Sequence, residues 1–393
     1  MASQTKNKRN VSRKGANPEA KGDAAEQQEG VERPQRPNGQ VVDIPEHLEL
    51  EVTFRTYPAG KYTHDELGLS KEQVVDMYRN MLLQRRFEER AAQMYGKQKI
   101  AGFLHLYIGQ EAVSTGAIGA LKVGLDSVIT AYRDHGLGLA LGMTANECMA
   151  ELFGKIGGSS RGKGGSMHYF KKEVGFYGGH GIVGGHIPVG VGLAFAHKYK
   201  ESGGVSLTFF GDGAVGQGSF HEAANLASLY KLPSILVIEN NQYAMGTATH
   251  RAFAEPDFHK YAVSYDMPAA LVNGMDVFSV LKAFRDHVAM AREGQPSLLE
   301  VRTYRYRGHS MSDPGKYRTK EELEQKKNED PIFRLKAYML DKQLADNELF
   351  DQIDEEVKQE VMDAVDFAEE SEFPPIETAY EDVYVQEDYP FLA

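Results

Sequence analysis

Asp212 stands between two glycines, in Gly211-Asp212-Gly213, and Asn240 and Asn241 close the apolar run Ser234–Glu239. An aspartate carboxylate, an asparagine amide oxygen and a main-chain carbonyl in the turn Asn241–Tyr243 make a set of hard oxygen donors. Such a set suits Mg²⁺, which takes its remaining oxygens from phosphate when the protein offers few ligands. Arg133 follows the run Ser127–Tyr132. A guanidinium there can fork onto a phosphate or pair with an acid such as Asp134. His105 lies between apolar neighbours, a setting that by itself fits a core histidine. His309 falls in an arginine-rich segment, TYRYRGHSMSDPGKYR (303–318), which suits either a surface loop or an active-site lid.

The elements around these residues are legible from pattern. Val205–Phe210 and Ser234–Glu239 are short apolar runs rich in β-branched and aromatic residues, so both are predicted to be buried strands. Ser219 and Glu222 form a capping box that predicts a helix start between them. Strand, helix and strand make a βαβ unit with parallel strands. In open α/β sheets, ligands sit at the carboxyl ends of strands, beside helix N-termini that attract anions. Gly211, Gly213, Gly216 and Gly218 fall at that point. Capping boxes at Ser70–Gln73 and Thr144–Glu147 predict two earlier helices, the first ending near Gly96. Further elements are a helix over Val189–Lys200, a strand near Ala269–Val272, a helix over Val277–Arg292 and a strand over Ser297–Tyr304.

Between Gly154 and Gly192 there are 14 glycines, a density expected where backbone approaches a ligand closely. The stretch KIGGSSRGKGG lacks the preceding strand and the ordered Gly-Lys-Ser/Thr of a P-loop, which excludes an NTPase. His168, His180 and His186 fit no zinc spacing and have no cysteine partners.

Composition bounds the rest. With 41% hydrophobic residues the chain can fill a large α/β core. Residues 320–372 carry 18 Asp/Glu against 7 Lys/Arg, so most of the net charge of −12 lies in predicted acidic amphipathic helices. That balance argues against non-specific nucleic-acid binding. Cys148 is the single cysteine and suits a reducing compartment. No apolar run reaches membrane-spanning length. The polar residues 1–40 are expected to be a disordered tail rather than a targeting segment, with residues 41–320 as the α/β domain and residues 321–393 as a helical extension packed on it.

GDG, then 26 residues, then Asn-Asn is similar to the thiamine diphosphate signature. The segments GFLHLYIGQEA and GHSMSDP add to this, and residues 75–385 resemble the alpha subunits of pyruvate dehydrogenase first components, in the thiamine diphosphate-dependent 2-oxo acid dehydrogenase family. The resemblance implies a thiamine diphosphate-binding fold with a central parallel sheet flanked by helices. It implies thiamine diphosphate and Mg²⁺ as cofactors, with Asp212, Asn241 and the Tyr243 carbonyl on the metal. Tyr132, Arg133, Gly213, Ala214 and His309 would contact the cofactor, and Gly181 and Val183 its pyrimidine ring. His105 and His309 become the proton-handling residues, since imidazole moves protons near neutral pH and can donate to an oxyanion. Phe103, His105 and Gln217 would line the substrate pocket. Ser310 and Ser312 would be open to a regulatory kinase, a phosphate there meeting Arg305, Arg307 and Arg318.

The implied reaction is oxidative decarboxylation of pyruvate with reductive acetylation of a lipoyl group. Acetoin dehydrogenase and branched-chain 2-oxo acid dehydrogenase alpha subunits are the alternatives. The implied partners are a beta subunit, supplying the glutamate that activates the cofactor in an α₂β₂ assembly, and a lipoyl-bearing dihydrolipoyl acyltransferase. Neither nucleic acid nor membrane is expected as a partner. A bacterial cytoplasm is preferred to a mitochondrial matrix.

Overall fold

The computed structural model describes residues 54–382. The expected tail (1–40) and most of the C-terminal stretch Tyr380–Ala393 lie outside the described residues. Among the described residues there are nine strands: β1 (Arg55–Tyr57), β2 (Ser127–Ala131), β3 (Phe176–His180), β4 (Ser206–Gly211), β5 (Ser234–Asn240), β6 (Tyr243–Ala244), β7 (Thr247–Ala248), β8 (Ala269–Asn273) and β9 (Ser297–Arg302). Seven form one sheet in the order β1-β8-β9-β5-β4-β2-β3, every pair parallel. β6 and β7 make a separate two-stranded hairpin beyond the end of β5.

Alternation along the strands builds a core on each face. Ile235 and Val237 of β5 join Leu207 and Phe209 of β4 in one apolar cluster. Leu236 and Ile238 join Phe210 in the other. The first cluster runs from Tyr57 to Ala368 and takes in the helices Lys71–Gly96, Val277–Arg292 and Asn347–Glu370. Helix Asn347–Glu370 presents Phe350, Ile353, Val357, Val361, Ala364 and Ala368 to it, spaced as one helical stripe. The acidic segment is thus solvated on one side and packed on the other. No helix among the described residues is long and apolar enough to cross a membrane.

The capping boxes at Ser70–Gln73 and Thr144–Glu147 form with both reciprocal bonds. The one at Ser219 does not. The cap falls two residues earlier, at Gln217, so that the helix starts at Gly218, with no side-chain cap. The Ser219 hydroxyl donates instead to the Gly184 carbonyl at 3.0 Å, because the helix start must hold the 181–185 turn. The glycine-dense stretch hides an edge strand, β3, that hydrophobic patterning does not show. A Cβ on Gly179 would lie 2.0 Å from Asp134 Oδ2, and one on Gly178 would strike the Phe170 ring. Close approach, rather than a ligand, requires glycine at these two positions.

The chain leaves β2 for the outer edge and leaves β4 for the opposite side, so the crevice between their carboxyl ends is the topological switch point. Tyr132-Arg133 leave β2 there, Asp212 leaves β4, and Asn241 leaves β5 beside it.

Candidate active site

Asp212 opens a 3₁₀ turn directly after β4 and is 1% exposed. Its Oδ2 has no hydrogen-bond partner among the described residues. Burial pushes its carboxyl up to about 6, against the opposing pull of the Arg305 charge. A buried carboxylate oxygen without a partner is costly unless a cation or donor meets it. The next turn supplies two more oxygens. Asn240 is turned away, donating to Glu300 Oε1 at 2.9 Å. Asn241 is turned inward, its amide donating to Gln110 Oε1 at 3.1 Å. Its Oδ1 accepts from Arg305 Nη1 at 3.3 Å, and the Tyr243 carbonyl accepts from the same nitrogen at 2.9 Å. This turn is wound tightly, with Gln242 at φ 74° and Met245 at φ 53°. A Cβ on Gly213 would lie 2.6 Å from the Ala244 Cβ, so the Asp212 and Asn241 turns close on each other.

These residues wall a cavity of about 240 Å³, with Tyr132, Arg133, Gly184, Ala214 and Glu239 completing the lining. The Asp212 carboxylate, the Asn241 amide oxygen and the Tyr243 carbonyl lie along it, while the Glu239 carboxylate is taken by the Tyr107 hydroxyl. Among the described residues no three His, Cys, Asp or Glu side chains converge on a metal position. The donor set therefore suits a hard cation that keeps ligand positions for other oxygens, and the unpartnered Asp212 Oδ2 fits such an ion. A guanidinium already rests against two of the three oxygens, which shows that the spot favours positive charge.

Arg133 is buried, and its Nη1 donates to the Leu106 carbonyl at 2.5 Å and its Nη2 to the His309 carbonyl at 2.7 Å. It therefore holds the two histidine-bearing segments together. Burial pulls its pKa down to about 10, with the Arg305 charge adding to the effect. An anion in the cavity would relieve both.

A second cavity, of about 650 Å³, shares Tyr132, Val183 and Met245 with the first and adds Phe103, His105, Gly181, His309, Ser310 and Ser312. The His105 and His309 rings are 5.1 Å apart, and each lies within 5.5 Å of the Tyr132 ring. The Nδ1 of His105 has no partner among the described residues. Burial, then the Arg133 charge, pulls His105 down to about 2, and the same two causes pull His309 down to about 4. Both rings are neutral at pH 7. Phe103 is 61% exposed and Ile182 is 79% exposed, so this cavity is open on one side.

The fold thus brings His105, Tyr132, Arg133, Gly181, Val183, Asp212, Gly213, Ala214, Asn241, Tyr243, Phe103 and His309 to the two joined cavities. Gln217 is outside both linings, exposed at the start of the helix Gly218–Leu229, with its side chain against Gly184. The expected positive cluster for a phosphate on Ser310 or Ser312 is dispersed. Arg305 is 2% exposed and turned into the Asn241–Met245 turn. Arg318 donates to the carbonyls of Tyr306 and Arg307, leaving Arg307 exposed. Pattern reading saw three nearby arginines but could not see which carbonyls they serve. It also passed over Glu239, buried at the end of β5, which accepts from the Tyr107 hydroxyl at 2.5 Å and is pushed up to about 7 by burial. The signal was a lone acid closing an otherwise apolar strand.

His168 Nδ1 faces the Gly179 carbonyl at 2.9 Å and His186 Nε2 faces the Phe209 carbonyl at 2.8 Å, so both serve main chain.

Residues 79–377 match the family described as Dehydrogenase E1 component. The chain is 53% identical over 316 residues to the pyruvate dehydrogenase E1 component subunit alpha of Rhizobium meliloti, covering 80% of this chain and 90% of that one. It is 49% identical over 328 residues to the protein of that name from Zymomonas mobilis, covering 83% and 91%. A mitochondrial alpha-1 subunit from Arabidopsis thaliana is 45% identical over 319 residues, covering 81% of each. The match spans the crevice and both cavities, and this chain belongs to the dehydrogenase E1 component family, whose members depend on thiamine diphosphate.

Proposed function

We propose that this chain is the alpha subunit of a bacterial, cytoplasmic pyruvate dehydrogenase first component. It oxidatively decarboxylates pyruvate and acetylates a lipoyl group on a dihydrolipoyl acyltransferase. The observation that carries the reading is the buried, unpartnered Asp212 Oδ2 beside Asn241 Oδ1 and the Tyr243 carbonyl, one cavity away from two neutral histidines. Asp212, Asn241 and the Tyr243 carbonyl would hold Mg²⁺, and Tyr132, Arg133, Gly213, Ala214 and His309 would surround the diphosphate. Gly181 and Val183 would meet the pyrimidine ring, and Phe103 and His105 the substrate. When bound, thiamine diphosphate supplies the electron sink that lets a 2-oxo acid lose carbon dioxide. His105, neutral at pH 7, can donate an N–H to an oxygen that gains negative charge. Arg133 keeps His105 and His309 at one mouth by holding the main chain beside each.

The open side of the larger cavity supports an incomplete site, finished by a beta subunit in an α₂β₂ assembly. The test is to purify the chain alone and with that subunit, and to assay pyruvate, acetoin and 3-methyl-2-oxobutanoate with cofactor and Mg²⁺. Activity is expected only for the assembly, and highest with pyruvate. Turnover by the chain alone would overturn the assembly, and preference for acetoin the substrate.

A further inference from the structure

Glu151 lies in the last turn of the helix Ala145–Leu152 and is 0% exposed, yet it has no ion-pair partner among the described residues. Its carboxylate instead accepts four main-chain N–H groups from one loop. Oε2 takes Ser160 at 2.8 Å and Gly162 at 2.9 Å. Oε1 takes Gly164 at 2.7 Å and Gly165 at 3.0 Å. Two bonds on each oxygen use all the acceptor positions that an ionised carboxylate has. The loop is wrapped around it closely, since a Cβ on Gly158 would lie 2.3 Å from Glu151 Oε2. Burying a carboxylate without a cation is tolerated only while such donors stay in place. Glu151 and the loop therefore hold each other.

The residue after this loop is Ser166. Its hydroxyl oxygen accepts the main-chain N–H of His105 at 3.0 Å and lies 3.0 Å from His135 Nε2. On its other side, His135 Nδ1 is 3.0 Å from Glu88 Oε2, and Glu88 Oε1 accepts the Tyr107 N–H at 2.7 Å. The segment bearing His105 is thus pinned at two alternate N–H groups, by Ser166 and by Glu88, with the buried His135 between the two pins.

We propose that Glu151 is a positioning residue for the reaction: through the 160–165 loop it sets Ser166, and Ser166 sets the backbone and ring of His105. Glu151 lines neither cavity. The proposal rests on His105 being the proton-handling residue of the site. It accounts for part of the glycine density of 154–165, which here wraps main-chain N–H groups round a carboxylate.

The test uses the assembled enzyme with its beta subunit and compares wild type, Glu151→Gln, Ser166→Ala, the double variant and His105→Asn. Glutamine keeps the shape of Glu151 but turns an NH₂ group toward two of the four donors. Glu151→Gln is expected to lower kcat about thirtyfold and Ser166→Ala about tenfold, since small misplacements of a working group are costly. The Kd for cofactor, read by fluorescence titration, should stay within about twofold of wild type, because both residues act through His105 rather than on the cofactor. The double variant should be no worse than Glu151→Gln, since coupled residues do not add.

If the two losses multiply, or cofactor affinity falls together with kcat, Glu151 serves only as a structural residue and the proposal is overturned. If Glu151→Gln does not assemble, Ser166→Ala decides alone, and an unchanged kcat there also overturns it. His105→Asn separates the two layers. Full activity in that variant sinks the role of His105, whereas a large loss there beside unaffected Glu151 and Ser166 variants sinks only the positioning role.

Discussion

The two joined cavities are built on opposite principles. The smaller, about 240 Å³, is walled by charge that burial has strained: Asp212 is pushed up, Arg133 is pulled down, and Arg305 sits at its floor. The larger, about 650 Å³, has neutral imidazoles and apolar residues such as Phe103 and Met245, and it opens to the surface. The smaller lies at the switch point, where strand ends fix their residues rigidly. Apart from Tyr132 at the end of β2, the larger is lined from five separate stretches outside the sheet, at 103–105, 167, 181–183, 245–246 and 309–317. Rigid strand ends suit holding an ion and a phosphate in one geometry. Loops suit a group that enters, reacts and leaves. Changes in the two cavities should therefore fail in different ways.

The largest effect is expected from Asp212→Ala. It removes the carboxylate whose Oδ2 has no partner among the described residues, and leaves Arg305 beside the Asn241 and Tyr243 oxygens without that acid. Cofactor affinity should fall by about a hundredfold or more, and added Mg²⁺ should no longer restore it, as expected when a metal loses its only charged ligand. Calorimetric titration of the assembly with cofactor, with and without Mg²⁺, gives the answer. Metal-dependent binding that survived would remove the basis for treating the two cavities differently.

His105→Asn should show the reverse pattern. Cofactor binding should be kept while kcat falls on the order of 10² to 10⁴, the usual range for losing a proton-transfer group. Steady-state kinetics on the assembly, paired with the same titration, separates the two. A variant that loses binding and turnover together would merge the two cavities into one functional unit.

The halves also differed in how far sequence could reach them. β4, β5 and the Asp212 and Asn241 turns are local: strand pattern, glycine and asparagine at strand ends, and the parallel rule place them together. The large cavity depends on contacts across more than 100 positions, such as Arg133 to the His309 carbonyl. Nothing within either segment signals that bond, so only the family resemblance brought His105 and His309 into one site. β3 was missed because Phe176–His180 is a strand made by neighbours, with two of its five residues glycine. Arg305 is read from sequence only as part of a positive cluster near Ser310 and Ser312, because an arginine in a polar loop is usually solvated. Here its five N–H donors meet three carbonyls and two side-chain oxygens, and that accounting needs coordinates.

The smallest effect separates the cavities by the sign of their titration. His105 is 5% exposed and its folded pKa of about 2 lies below the ordinary 6.5, with burial first among the causes. Between these values the unfolded chain binds a proton that the folded chain refuses, so stability rises with pH across that window and falls as pH drops below 6.5. The slope from this one group is at most about 1.4 kcal/mol per pH unit. Asp212 runs the other way: its raised carboxyl gains a proton in the folded chain first, so it opposes loss of stability as pH falls through about 6. Urea unfolding of wild type and His105→Asn at pH 5, 5.5 and 6 measures the first contribution. The variant's stability should fall less steeply with acid by up to that amount, and the His105 ring proton in wild type should keep a constant NMR shift from pH 5 to 8. A His105 resonance titrating near 6.5 would mean that water reaches the ring freely, and the larger cavity would then lack the dry imidazole on which its contrast with the Asp212 cavity depends.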